Sequence, residues 1–300
     1  MFGVDTCGFN GNSDLELCSR WMQLSAFFPF YRNHNVLSAN SQEPYVWADV
    51  ATATKTVMNI RFQLLPYMYT LFFKAHTTGS TVMRALSWEF PNDPSLASVD
   101  TQFFLGPAIL VTPVLNQGAT TVNGIFPGAT RGEIYYDWYT QTAVQKTNGN
   151  VTIDAPLGHI PVYIRGGHIL ATQTIAKTTR DARKTPWSLI VALNGQSTSS
   201  GELYLDDGES VHPNATLIVD LAASRNAVYA SARGSYKDTN PLANITILGA
   251  GRKPRNVTFN GHAIAAANVG YNEHSCILTI CGLKDVTGMG AWTEDWALYW

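Results

Sequence analysis

The sequence predicts an α/β segment followed by an all-β region, and three observations carry the prediction. Helix and strand patterns alternate through residues 12–90, whereas from Gln102 onward short apolar runs are separated by Gly, Pro and Asn. A polar, basic stretch over 174–186, with Lys177, Arg180, Arg183 and Lys184, then divides the second region in two. The boundaries that follow are 1–92 for the α/β segment, 93–176 for a first antiparallel β-domain and 177–300 for a second, read as a β-sandwich. With 300 residues and 45% apolar side chains, the chain has material for more than one core.

The elements can be justified in order. Ser13-Asp14-Leu15-Glu16 fits a capping box with Ser13 as N-cap and Glu16 at N3, so a helix is expected to follow. Leu17, Trp21, Leu24 and Phe28 give it one apolar face until Pro29 ends it, which leaves Arg32 and His34 in the loop beyond. A second helix is expected over 48–76, apolar on nearly every side through Ile60, Leu64, Met68 and Leu71 and kinked at Pro66. Residues 81–86 read as a short strand that continues the β/α alternation. Strands are then expected at 108–112, 132–136 and 162–164. In the second β-domain they fall at 189–193, 201–205, 216–221, 227–231, 244–248 and 276–280, with Asp206-Asp207-Gly208 as a turn between two of them.

Composition narrows the partners. A formal charge of −2, with 14% charged residues against roughly 25% in an average globular protein, supplies no basic surface for nucleic acid or anionic membrane. Abundant Thr, Asn and Gly with 11% aromatics suit neutral polar ligands such as sugars, and suit extracellular β-rich domains equally well. Met1-Phe2-Gly3-Val4-Asp5 lacks the basic and apolar regions of a secretory signal, and no apolar run approaches the ~18 residues of a membrane span. Sequons at Asn150, Asn214, Asn244 and Asn256 permit glycosylation and secretion. Cys7 and Cys18 flank a Gly- and Asn-rich loop that can fold back to disulfide distance. Cys276 and Cys281 bound an apparent strand about 17 Å long, too far to pair with each other, so buried free thiols are expected there.

The chemistry concentrates near the N-terminus. Asp5 lies just ahead of Gly8, where a barrel strand would end and its site-forming loop begin, although a carboxylate there can equally cap a turn. Arg32 and His34 share one face if extended. Together, a carboxylate, a guanidinium fork and an imidazole can fix several sugar hydroxyls, with Phe9 or Trp47 as a stacking surface. Asp14 and Glu16 are two apart on a helix and do not face each other, so capping explains them better than a catalytic pair. His159 and His168 lack metal-ligand spacing, and Asp206 to Glu209 lack the EF-hand pattern, so no metal or cofactor is expected.

The long string Gly3-Val4-Asp5-Thr6-Cys7-Gly8-Phe9, Ser13, Leu17-Cys18, Arg20-Trp21, Leu24, Ala26-Phe27 and Pro29-Phe30-Tyr31-Arg32-Asn33 resembles glycoside hydrolase family 31. The likeness continues through Gln42-Glu43-Pro44, Leu64-Leu65-Pro66-Tyr67, the run from Leu105 to Val114, Phe126-Pro127-Gly128 and Ile164-Arg165-Gly166-Gly167, and loosens beyond about residue 210. It is nearest to fungal and animal α-glucosidases. The resemblance implies the C-terminal end of a (β/α)8 barrel followed by proximal and distal β-domains, and a Cys7–Cys18 disulfide. It further implies that Asp5, Arg32, His34 and Phe9 hold the nonreducing glucose.

Retaining members use a carboxylate nucleophile and a second carboxylate as acid/base, roughly 5 Å apart. The family nucleophile lies in a Trp-x-Asp-Met motif, and no such string occurs in these 300 residues; the segment bearing the acid/base is missing as well. The expectation is therefore a portion of a secreted retaining α-glucosidase that contributes part of the −1 subsite to α-glucosidic oligosaccharides and is inactive alone. One alternative is a non-catalytic carbohydrate-binding or accessory subunit that docks on a separately made N-terminal barrel half, its apolar helix near 58–73 covered by that partner. Within the family, α-xylosidase, transglucosidase and α-glucan lyase are the other activities considered.

Overall fold

A parallel strand–helix–strand unit opens the computed structural model, which describes residues 3–145, 149–288 and 290–300. Met1 and Phe2, part of the segment without leader character, lie outside the described residues. β1 (Asp5–Thr6) and β2 (Arg32–Asn33) run parallel, Asp5 opposite Arg32 and Thr6 opposite Asn33, with α1 (Leu15–Ser25) as the crossover that parallel neighbours require.

The N-cap of α1 is Asp14 rather than Ser13: its Oδ1 accepts the Leu17 N–H at 2.8 Å. A carboxylate there adds attraction to the helix N-terminus to the hydrogen bond itself. Glu16 is left free to accept from the Gly118 N–H at 2.7 Å and from Arg20 Nε at 2.8 Å, and the first of these bonds does most to lower its pKa. The buried face also differs from the one the apolar spacing predicts. Cys18, Ser19, Met22 and Ser25 are buried while Leu17 is 45% exposed, because the Cys7–Cys18 disulfide draws that side inward against Met22 and Val50.

The single kinked helix expected over 48–76 is two helices, α2 (Ala48–Gln63) and α3 (Leu65–Thr78). In one continuous helix the Pro66 ring would collide with the carbonyl four residues back; in the first turn of α3 its missing donor costs nothing. Gly79 closes α3 in the left-handed region, its N–H bonding to the Ala75 carbonyl at 3.1 Å. Ile60, Leu64, Met68 and Leu71 are buried against Leu105, Ile109, Val162, Leu170 and Ile190, each such side chain contributing about 2 kcal/mol. One face of the apolar helix thought to need a partner is thus covered by the chain's own strands.

Next come β3 (Met83–Arg84), α4 (Leu86–Glu89), β4 (Phe103–Leu105), β5 (Ile109–Val111), β6 (Thr121–Ile125), β7 (Tyr135–Asp137), β8 (Asn150–Asp154) and β9 (Val162–Arg165). Five of these strands form an antiparallel sheet in the order β3-β4-β5-β9-β7, and β6 with β8 makes a separate ribbon. β3 therefore does not continue the β/α alternation; it is an edge strand of the antiparallel sheet. Alternation along β4 and β5 sends Leu105 and Ile109 toward the helices and Phe104 and Leu110 into a second cluster with Phe126, Tyr135 and Tyr163.

One margin of this sheet holds a largely buried ion network. Arg165 binds Glu133 through two hydrogen bonds of 3.0 Å, reaches Glu89 at 3.3 Å and lies 4.4 Å from the Phe90 ring centroid, while Arg84 meets Glu89 at 2.5 Å. Burial, and then the Arg165 charge, push the nearby His168 imidazole down to about 4 from 6.5. The unfolded chain takes up that proton first, so His168 costs stability as pH falls from about 6.5 to about 4. Replacing it, His168→Gln, is expected to flatten the acid limb by on the order of 2 kcal/mol. Urea unfolding of both proteins at pH 7 and pH 4 would measure it, and identical acid losses would refute it.

The remaining strands are β10 (His168–Gln173), β11 (Trp187–Ala192), β12 (Ser199–Leu205), β13 (Leu217–Ser224), β14 (Ala227–Gly234), β15 (Leu242–Leu248), β16 (Thr258–Phe259), β17 (His262–Ala263), β18 (Val269–Asn272), β19 (Ile277–Ile280) and β20 (Trp296–Tyr299). They form one eleven-stranded sheet in the order β17-β16-β20-β14-β13-β12-β10-β11-β15-β19-β18. Phe259 and Trp296 from one end and Leu278 and Ile280 from the other meet Trp187, Leu203 and Val219 in a single core, so the sheet curls onto itself. It is mixed rather than antiparallel: β11 runs parallel to β15, and β10 touches β12 in parallel at His168 and Ser200. β10 joins this sheet although its residues fall before position 176.

Asp206-Asp207-Gly208 is not a tight hairpin turn but the start of a longer connection, 206–216. Asp206 is 3% exposed, and its carboxylate accepts the Tyr69 hydroxyl of α3 at 2.8 Å and the Gly208 N–H at 2.8 Å. Asp207 takes the turn role, where hydrogen bonds from the Ser210 hydroxyl, then from the Ser210 and Glu209 amides, hold its carboxyl at about 2. Beside Asp206, Thr70 accepts the Tyr204 N–H at 3.0 Å and Phe73 stacks on Tyr204 at 3.8 Å, so α3 is fastened to β12.

Candidate functional site

The parallel unit β1–α1–β2 brings the four predicted site residues together. In-register pairing sets Asp5 beside Arg32, and Asp5 Oδ1 accepts from Arg32 Nη2 at 2.5 Å and Nε at 3.0 Å. One loop further on, the Phe9 and His34 rings lie 5.4 Å apart. The two loops also bond directly, Val36 N–H to the Phe9 carbonyl at 3.0 Å. The site is open: the Arg32 side chain is 51% exposed and Phe9 is 41% exposed.

Local backbone chemistry explains why this sequence is needed. The chain reverses after β1 through Cys7 at φ +71° and Gly8 at φ +94°, with the Gly8 N–H returning to the Asp5 carbonyl at 3.0 Å. Gly8 adopts that conformation without strain, and the disulfide helps hold Cys7 in it. A Cβ on Gly3 would stand 2.1 Å from the Phe30 carbonyl oxygen, so only glycine lets β1 approach the entry to β2. Trp47 is half-buried and packs against the cluster of Cys7, Cys18, Met22 and Val50.

Sequence reasoning missed Gln42 as a residue of this region. It is 3% exposed beneath both loops, and its presence in the Gln42-Glu43-Pro44 string was the available signal. The same N-terminal segment carries further exposed apolar side chains: Val4, Leu17, Phe30, Leu37, Tyr45 and Val46. A cavity of about 240 Å³ lies elsewhere, beside Phe126, Glu133 and Tyr135. None of the four predicted site residues lines it.

The other candidates separate. Among the described residues, no group of three or more His, Cys, Asp or Glu is placed to hold a metal ion. His159 packs on Tyr139 with ring centroids 4.6 Å apart, and burial lowers its pKa. Asn150, Asn214 and Asn256 are exposed, whereas Asn244 is half-buried within β15 between two neighbouring strands. Cys276 and Cys281 are free, but half-buried rather than fully buried. No helix of the described residues is long and apolar enough to cross a membrane.

Comparison with known proteins identifies the family. Residues 1–71 match the glycosyl hydrolases family 31 TIM-barrel domain, and residues 79–170 match the family 31 C-terminal domain. Over 301 aligned residues the chain is 64% identical to an alpha-glucosidase of Aspergillus oryzae and 63% identical to one of Aspergillus niger. Each alignment covers 100% of this chain and 31% of the relative, so the chain spans about a third of the length of these proteins. Among solved structures, the DNJ-bound glucosidase II alpha subunit superposes with a TM-score of 0.88 at 26% identity, over 99% of this chain and 34% of that one. The two domain matches together span more than half of the sequence, and with whole-chain identity above 60% they show that the chain belongs to glycosyl hydrolase family 31.

Proposed function

We propose that the chain is the C-terminal portion of a retaining α-glucosidase that removes α-linked glucose from the nonreducing ends of oligosaccharides. The observation that carries this reading is the convergence of Asp5, Arg32, Phe9 and His34 on one open face at the ends of two parallel strands. A carboxylate and a guanidinium grip vicinal hydroxyls, and two aromatic rings meet the apolar face of a sugar, so together they suit part of the −1 subsite. The bond-breaking carboxylates belong to a preceding barrel half, in the same polypeptide or as a separate chain. The exposed apolar side chains of the N-terminal segment suit contact with that half.

The division into a barrel end (1–92), a proximal β-domain (93–176) and a distal β-domain (177–300) is part of the same proposal, with β3 and β10 as the strands that tie the units together. The disulfide and the exposed sequons support a secreted, glycosylated parent protein. Assays of the pure chain and of the full-length protein that carries it test the reading. The chain alone is expected to hydrolyse no maltose and the full-length protein to hydrolyse it. Turnover by the chain alone that disappears on Asp5→Ala would overturn the proposed division of the site.

A further inference from the structure

We propose that Gln42 is a positioning residue whose side-chain amide holds the two site loops in a single geometry. The inference rests on the sugar-pocket reading for its consequences, but its geometry stands on its own. Gln42 Nε2 lies 3.2 Å from the Thr6 carbonyl, 3.1 Å from the Gly8 carbonyl, 3.1 Å from Asn33 Oδ1 and 3.4 Å from the His34 carbonyl. Thr6 follows Asp5, Gly8 precedes Phe9, and Asn33 sits between Arg32 and His34. Both loops therefore converge on one donor group. Asn33 Nδ2 returns a hydrogen bond to the Gln42 main-chain carbonyl at 2.8 Å, which fixes the segment that presents the amide.

Strand pairing cannot do this work. β1 and β2 are two residues each, so their register sets Asp5 against Arg32 and leaves the turn that carries Phe9 to other restraints. All four groups facing Nε2 are acceptors, three of them main-chain carbonyls, and enclosing an acceptor without a donor is costly. At the opposite end of the side chain, Gln42 Oε1 is buried and has no hydrogen-bond partner among the described residues. The side chain therefore makes its hydrogen bonds through Nε2 alone.

The test uses the full-length protein and three variants. Gln42→Glu keeps the shape but puts oxygen where the donor was; Gln42→Met removes the donor without adding charge; and Leu203→Ala, in the distal core, controls for lost stability. Hydrogen exchange at the Gly8 and Val36 amides, whose bonds close the two loops, is expected to quicken at least tenfold in both Gln42 variants and to stay unchanged in the control. For maltose, KM should rise and kcat/KM fall by about 30-fold or more, since small misplacements of binding groups carry large rate penalties. Leu203→Ala should keep wild-type kinetics at the same temperature. Unchanged exchange in the variant that folds overturns the proposal, and so does faster exchange with wild-type kinetics. Faster exchange in a protein whose parent has no α-glucosidase activity would uphold the loop-holding role of Gln42 and sink the sugar-pocket reading instead.

Discussion

Asp5→Asn in the full-length protein is expected to lower kcat/KM for maltose by about 100- to 1000-fold, which corresponds to about 3–4 kcal/mol of lost transition-state binding. The substitution keeps the shape but replaces a charged acceptor with an amide, and hydrogen bonds to charged groups are the costly ones to lose. It also leaves Arg32 without its counter-ion on the sugar-facing surface. The same change should scarcely affect folding. The Arg32 side chain is 51% exposed, and an ion pair that open is worth about 0–1 kcal/mol. Activity and stability therefore separate at this position. A kcat/KM loss under about fivefold, or a fall in urea midpoint large enough to explain the lost activity, would remove Asp5 from the pocket.

Arg165→Met is expected to do the reverse, destabilising the fold by about 3–5 kcal/mol while touching no site residue. Arg165 serves Glu133 through two parallel hydrogen bonds and Glu89 through a third contact, with its own side chain only 16% exposed. Removing the cation leaves Glu133 with no partner in that network and Glu89 with Arg84 alone. The contact with the Phe90 ring is lost too, worth about 1 kcal/mol. Arg165→Lys should recover only part of the loss, because an ammonium cannot reproduce the planar fork that fits both oxygens of Glu133. Urea or thermal unfolding would check both variants, and a loss below about 1 kcal/mol for Arg165→Met would mean that the network is structurally idle.

Much of this architecture was legible in the order of residues. Short apolar runs separated by Gly, Pro and Asn located most distal strands of the described residues to within a few positions, because such runs and their turn chemistry are local. The Cys7–Cys18 pairing was legible for the same reason, since a short flexible loop decides whether two thiols meet. Where the reading failed, the deciding contact came from far away. Ser13 and Asp14 are both good N-caps, and which one serves depends on where the helical turn begins. The exposed face of Leu17 followed from the disulfide side of α1 turning inward, not from apolar spacing. β3 is only two residues long, too short for a period, and its partner twenty residues on placed it in the antiparallel sheet. The buried Asp206 looked like a turn residue because its partner, Tyr69, is 137 positions away.

By itself the sequence determined the family, the residue types gathered near the N-terminus and the absence of the family's Trp-x-Asp-Met string from these residues. These are properties of residues that neighbour one another in the chain, which local spacing encodes. Only the tertiary structure decided that Asp5 meets Arg32 across 27 positions, that the Gln42 amide faces four oxygens from two loops, and that one face of α3 is covered by the chain's own strands. Such pairings are chosen by long-range packing and by the demand that buried polar groups find partners, and neither leaves a periodic trace in the chain.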